Sequence, residues 1–403
     1  MKISNIEALC EGEVSVLSAK IEPDGAGHPR ELWYRFEGLE GPLEYAADPF
    51  AAALLPFAMY QNEACVVEGT LSSELRYNLD RAQAVLSDWY DFLTPVSVVP
   101  EAETMDAEGD SRRSLGGVAC CFSGGVDSWY SLLKNAERVT HLMLVRGFDI
   151  GLENDELWHA TRERAREVAQ SLGLRLITCE TNLREIADPR RAGWGRDCSA
   201  DFWGKCLHGA ALASVSLGLS RSFNELIVPA THSEGQLKPW GSSPRLDPLW
   251  SSGQVRIQHD GCEADRIEKV RAISASALAL QNLRVCHNDL AETNCGRCEK
   301  CIRTMLALRL CDALQHAETF PDTRALRRLH RLEVPAHLTH HYEALLESAR
   351  SHGDQPLARA MESILGRRFS AERALANCVR GLRRRPGFAG RLVGELPGHA
   401  QRG

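Results

Sequence analysis

Val118-Ala-Cys-Cys-Phe-Ser-Gly-Gly-Val-Asp-Ser128 is the stretch whose reading decides the fold. A short apolar strand runs into a Ser-Gly-Gly turn. An acid and a hydroxyl follow, where a helix would begin. Gly124 and Gly125 let backbone N–H groups approach an anion closely. The helix behind them adds unpaired N–H groups and the positive end of its dipole. Ser123 and Ser128 supply hydroxyl donors. Asp127 repels bare phosphate, but it serves if Mg²⁺ bridges it to the phosphates. The loop therefore reads as a phosphate site.

Outward from this loop, strand and helix signals alternate. Val118–Phe122, His141–Phe148, Leu174–Thr178 and Leu226–Pro229 are apolar and strand-like. Between them, Asp155–Leu172 and Phe202–Leu217 carry helical spacing. That order predicts an α/β fold, a parallel sheet with helices on both faces, over 117–314. Residues 1–99 read as a small α+β module. They hold strand-like Leu32–Phe36 and Ala64–Glu68 and a helix capped by Ser72 or Ser73. The polar run 100–116 reads as a linker. Residues 315–403 read as a helical, Arg-rich extension: 321–403 hold fifteen Arg, no Lys and eight acidic residues.

The composition fits a globular chain of two to three domains. It has 403 residues, 44% hydrophobic and 25% charged, with a net charge of −7. Whole-chain disorder, collagen and coiled coil are excluded. No apolar run is long enough to cross a membrane, and Pro56 interrupts the longest, near Phe50–Tyr60. The N-terminus has no apolar signal segment, so a cytoplasmic location is expected. The 14 cysteines are then expected as free thiols or metal ligands rather than disulfides.

Cys286, Cys295, Cys298 and Cys301 form C-x8-C-x2-C-x2-C. Two C-x2-C steps bring three thiolates round one centre, and Cys286 makes four. Tetrahedral Zn²⁺ takes such a closed set. An iron–sulfur cluster uses the same ligands and is the alternative.

Ser123-Gly-Gly-Val-Asp-Ser128 resembles the SGGxDS signature of the N-type ATP pyrophosphatases, the PP-loop superfamily. With the cysteine run about 160 residues later, the chain is similar to the 7-cyano-7-deazaguanine synthase branch. The resemblance covers about 117–314. It implies a five-stranded parallel sheet of the adenine nucleotide alpha hydrolase-like kind. It also implies cleavage of ATP between the α- and β-phosphates, with Mg²⁺, and structural Zn²⁺ on the four cysteines. An adenylated carboxylate or carbonyl would then be attacked by ammonia or an amine, and AMP would leave. Ser123, Gly124, Gly125, Val126, Asp127 and Ser128 become the nucleotide contacts. Lys269, in Arg266-Ile-Glu-Lys269, falls near the phosphates or substrate, and Asp127 joins it as a catalytic candidate.

The chain departs from that branch at Thr231–Trp250, a long loop rich in Trp, Gly and Pro. Long loops at the ligand end of a sheet are usually functional. His232, Glu234, Lys238, Trp240 and Asp247 are candidate substrate contacts there. Lys205 is a candidate phosphate ligand, near Asp197, Trp203 and His208. The extra residues at both ends suggest a larger acceptor or a protein partner, the latter on the N-terminal module. Synthase-like proteins of similar enlarged build belong to bacterial anti-phage defence operons. Two other readings compete. One is tRNA modification of the thiolation type, with Arg383-Arg-Arg385 on nucleic acid. The other is a nucleotide-binding scaffold without catalysis in a defence complex.

Overall fold

The computed structural model describes residues 1–24, 28–43, 45–104, 116–193, 201–286, 293–321, 327, 329 and 332–367. Asp197 and Arg383-Arg-Arg385 lie outside the described residues.

Ten strands form one sheet: β1 Lys2–Glu11, β2 Val14–Glu22, β3 Arg30–Glu37, β4 Cys65–Ser72, β5 Val98–Thr104, β6 Val118–Cys121, β7 His141–Arg146, β8 Arg175–Thr181, β9 Glu225–Pro229 and β10 Arg256–Asp260. Their order is β10-β9-β6-β7-β8-β3-β2-β1-β4-β5. The longer helices are α1 Asp48–Gln61, α2 Ser73–Trp89, α3 Val126–Lys134, α4 Asp155–Ser171, α5 His208–Leu217, α6 Arg266–Ser274, α7 Glu299–Leu310 and α8 Thr339–Ser351.

This corrects the expected five-stranded parallel sheet. The sheet is mixed and twice as wide. Its β10-β9-β6-β7-β8 part is parallel, and β3 joins β8 antiparallel, with Tyr34 opposite Thr181 and Phe36 opposite Cys179. Backbone donors on β8 that would otherwise form an edge are thus paired with the N-terminal segment. The polar run expected to begin a linker at residue 100 instead continues β5 to Thr104, parallel to β4.

The apolar run near Phe50–Tyr60 is α1, in which every residue from Asp48 to Tyr60 is buried. A helix apolar all round must be covered on all sides. α1 packs against α5, α2 and β4, so one core contains Leu54 and Phe57 together with Ala210, Val215 and Leu226. Tyr34 Oη donates to Ser214 Oγ at 3.0 Å across the same seam, and Ser214 Oγ donates to the Ala211 carbonyl. Deleting residues 1–104 would strip one face of α5 and expose the β8 edge. Such a truncated chain is expected to be insoluble or to bind hydrophobic dyes strongly; a soluble fragment with a cooperative melt would contradict the shared core.

A second core lies on the opposite face. Trp129, Trp158 and Val270 meet Met305, Tyr342 and Leu345 there, which carries α7 and α8 onto the sheet. No helix among the described residues is long and apolar enough to cross a membrane.

Candidate functional site

Chain connections leave β6 toward β7 on one side, and β9 lies on its other side. Crevices outside the carboxyl ends of parallel strands at such a reversal are where open α/β sheets bind ligands. Phe122 to Ser128 leaves β6 at that end. Gly124 has φ +74°, a conformation side chains disfavour, and a Cβ there would lie 3.5 Å from the Asn282 carbonyl. Arg284 N–H donates 2.8 Å to the Gly124 carbonyl and pins the turn. Gly125 N–H donates to Ser123 Oγ at 3.4 Å, and Ser128 Oγ donates to the Gly125 carbonyl at 3.0 Å. Gly125 is the N-cap of α3 and brings no side chain to the first-turn N–H groups. They remain available to an anion.

Asp127 sits in the first turn of α3. Its Oδ2 accepts from Arg266 Nη2 at 2.9 Å and its Oδ1 from Lys269 Nζ at 3.1 Å. Lys269 is 2% exposed and also donates 2.6 Å to the Ala230 carbonyl, just past β9. A capping box aims α6 at this point: Asp265 accepts from Ile267 and Glu268 N–H, and Glu268 accepts from Asp265 N–H. Burial pushes the Asp127 pKa up. Arg266 and Lys269 outweigh it, with Lys300 behind them, and hold the carboxyl below its ordinary value. Lys300, at the start of α7, is pushed below its ordinary value by burial and by the Arg266 and Arg303 charges.

The surroundings are cationic. His232 is driven down to about 4 by burial and by Lys238, despite Asp127. His340 and His341, on α8, are also lowered by burial, then by Lys238 and Arg303 respectively. Neutral imidazoles beside Arg266, Lys269, Lys300 and Arg303 make a basin suited to a multiply charged anion. Beside the loop is a small, partly open recess lined by Ser123, Gly124, Leu144, Thr161 and Val168. The Thr161 hydroxyl is buried and has no hydrogen-bond partner among the described residues. A second recess, between Arg266, Arg303 and His341, opens on the α8 side.

The other residues singled out in the sequence lie in different settings. Lys205 is on a π-turn, Trp203–Leu207, before α5; its ammonium is 5.9 Å from the Tyr90 ring centroid. No contact among the described residues joins it to Asp127. Trp240 lies in the loop after β9, 5.8 Å from His232 ring to ring, with Lys238 5.2 Å from its centroid. Trp203 stacks beneath Arg184 at 4.2 Å and beside Phe148 at 5.0 Å. Glu234 N–H donates 2.8 Å to the Cys262 carbonyl, which ties that loop to the turn after β10.

Asp247 is fully buried rather than open to a ligand. Its Oδ2 accepts from Ser242 Oγ at 2.8 Å and meets His259 Nδ1 at 2.7 Å; Ser243 N–H reaches Oδ1 at 3.3 Å. Burial pushes His259 down, but hydrogen bonds to Asp247 and to the Cys262 side chain, with their charges, raise its pKa to about 9. A raised folded pKa stabilises fully below the ordinary 6.5, and that contribution is lost as pH rises through about 9. Thermal melts of wild type against His259→Gln should show the difference shrinking over that window. A difference that grows with pH would contradict the pairing.

Cys286, Cys295, Cys298 and Cys301 converge. Their sulfurs lie within 4.8 Å of one another and could hold a metal ion. The Cys286–Cys298 and Cys295–Cys301 sulfur separations are 3.9 and 4.0 Å. Four sulfurs at ~2.3 Å from one tetrahedral ion would stand ~3.8 Å apart. Backbone N–H groups of Cys295, Arg297, Cys298 and Cys301 point at cluster sulfurs at 3.3–3.5 Å. Cys298 is also the N-cap of α7, so the cluster fixes the helix that carries Lys300 and Arg303.

Sequence reasoning named Asp127 and Lys269, and the fold brings them together. It passed over Arg266 as a partner of Asp127, and it passed over His340 and His341. Arg266 was visible as the residue after an Asp N-cap; the α8 histidines have no local pattern. Comparison of the chain with protein-family models, with curated proteins and with solved structures gave no match in any of the three.

Proposed function

We propose that the chain is an ATP-dependent, AMP-forming ligase of the PP-loop type. One observation carries this reading: a Ser-Gly-Gly-Val-Asp-Ser loop at the carboxyl end of a central parallel strand, its Asp127 held between Arg266 and Lys269. Cations round a single carboxylate suit a polyphosphate brought with Mg²⁺. The triphosphate lies on the Ser123–Ser128 N–H groups. The nucleoside lies over the mouth of the recess lined by Leu144 and Thr161, beside the loop.

Arg266, Lys269 and Lys300 stabilise the pyrophosphate as it leaves. Such preorganised charge is the main catalytic term when a group departs carrying negative charge. Mg²⁺ would be bound by Asp127 and supplies charge neutralisation between the phosphates. The substrate is a carboxylic acid, free or attached to a macromolecule, and the loop 231–250 with Trp203 and Trp240 offers flat aromatic surfaces for a heterocyclic one. Zn²⁺ on the four cysteines is structural, because all four ligand positions come from the chain.

Thiolation of tRNA is the weaker reading, since the cluster cysteines face one another and leave no thiol pair for sulfur transfer. The test is a screen of acids and amines for pyrophosphate release, with the nucleotide product identified by mass. AMP with pyrophosphate supports the ligase; turnover only with tRNA and a sulfur donor would replace it.

A further inference from the structure

Arg266 and Arg303 are each anchored by one carboxylate and keep part of the guanidinium free. Arg266 gives Nη2 to Asp127 at 2.9 Å. Arg303 gives Nε to Glu299 Oε1 at 2.8 Å and Nη2 to Oε2 at 3.4 Å. Among the described residues, Nε and Nη1 of Arg266 and Nη1 of Arg303 have no hydrogen-bond partner. Glu299 is itself fixed by Tyr342 Oη, which donates to it at 2.9 Å from a fully buried position on α8. Arg303 is 8% exposed, so packing sets its direction.

Both arginines line the recess between α6, α7 and α8, together with His341 and Gln236. Asp265 also lines it, but its Oδ1 is spent on the Ile267 and Glu268 N–H groups that open α6. His341 lies in the field of both arginines: burial lowers its pKa first, then Arg303, His340 and Arg266. Lys300 acts on the same arginines and Lys238 on His340, and neither lysine forms an ion pair among the described residues. Positive charge is therefore in surplus here. A flat carboxylate is taken best by two parallel N–H groups of one guanidinium. Each such pair includes Nη2, and both Nη2 atoms are already on Asp127 and Glu299. Single donors from three helices suit a tetrahedral oxyanion instead, with one donor for each free oxygen.

We propose that the recess between α6, α7 and α8 is a second anion subsite, and that it holds a phosphate ester group carried by the substrate while ATP occupies the Ser123–Ser128 loop. The role in substrate binding rests on the ligase reading; the anion subsite does not. Arg266 joins the two sites, with Nη2 on Asp127 and its other N–H groups unpaired. The α8 wall lies beyond residue 314, outside the stretch that resembles the synthases. This subsite is thus what the C-terminal extension adds to the loop and sheet.

Methyl phosphate is the probe, titrated by phosphorus NMR into the full chain whose loop is filled with Mg²⁺ and the α,β-methylene analogue of ATP. It should bind at one site, about 10-fold or more tightly than acetate. His341→Ala should weaken it about 10-fold, the worth of one hydrogen bond to a charged group. Gln236→Glu should weaken it at least as much by like-charge repulsion. The Gln236 side chain makes no hydrogen bond among the described residues, so this variant keeps the fold if His341→Ala does not. Acetate bound equally well, an affinity that neither folded variant changes, or variants that weaken the analogue and methyl phosphate alike would overturn the proposal. So would pyrophosphate that binds where methyl phosphate does not, since the recess would then receive the leaving group. Analogue binding without methyl phosphate binding would remove the subsite and leave the ligase reading standing. Methyl phosphate held through His341 by a chain that never takes the analogue would keep the subsite and remove the ligase.

Discussion

Asp127→Asn is expected to lower AMP formation by a factor on the order of 10² to 10³ or more while the protein stays folded. The amide keeps an oxygen that can accept from Arg266 or Lys269, and Lys269 keeps the Ala230 carbonyl at 2.6 Å. The buried ammonium is therefore not left without a partner, and the melting temperature should move by only a few degrees. What is lost is the negative charge, and with it the proposed hold on Mg²⁺. The wild-type carboxyl sits below its ordinary value, so activity should persist well into acid pH until Asp127 is protonated. Steady-state turnover and a thermal melt on the same preparation check both parts. A variant that turns over normally would take Asp127 out of the reaction.

Cys298→Ser is expected to have the largest effect on stability. Structural zinc on such ligands contributes on the order of 10 kcal/mol of apparent binding energy, comparable with the whole stability of a domain. Cys298 belongs to the four-cysteine cluster that could hold a metal ion and is also a helix cap: its Sγ accepts from Cys301 N–H at 3.5 Å at the start of α7. Loss of the cluster frees α7, and with it buried Met305 and Leu306, from the turn at Val285 and Cys286. The variant should lose cooperative unfolding, and a strong chelator should do the same to wild type. Cys10→Ser, on an exposed β1 position, should change nothing. Metal analysis of the purified chain should give zinc and no iron. Iron with sulfide would replace zinc at the same cysteines.

The parts of the molecule that were legible in the sequence are those with local causes. Strand β6 and its loop were readable because apolar residues, glycines and hydroxyls follow one another without a gap. α2 was readable because Ser72 caps it, accepting from Leu75 N–H at 3.3 Å, and its apolar residues repeat on one face. The cysteine cluster was readable from spacing alone.

The joining of the N-terminal strands to the rest was not. The β3–β8 pairing spans about 145 residues of separation, and nothing in either strand's pattern says which edge it will meet. α1 has almost no apolar periodicity, because all its faces are covered. The Asp247–His259 pair was hidden for a similar reason. Asp247 comes from a loop, and only the pairing of β10 with β9 brings that loop beside His259. Asp247, picked out as a candidate substrate contact, lies fully buried against His259.

The most direct test of the central claim is the bond at which ATP is cut. Wild type and Asp127→Asn are incubated with Mg·ATP, a panel of heterocyclic carboxylic acids and an amine, and the nucleotide and phosphate products are identified by mass. The ligase reading predicts AMP and pyrophosphate from wild type with at least one acid, and neither from the variant. ADP and inorganic phosphate would contradict it, because cleavage would then fall at the γ-phosphate and the Ser123–Ser128 loop would have another use.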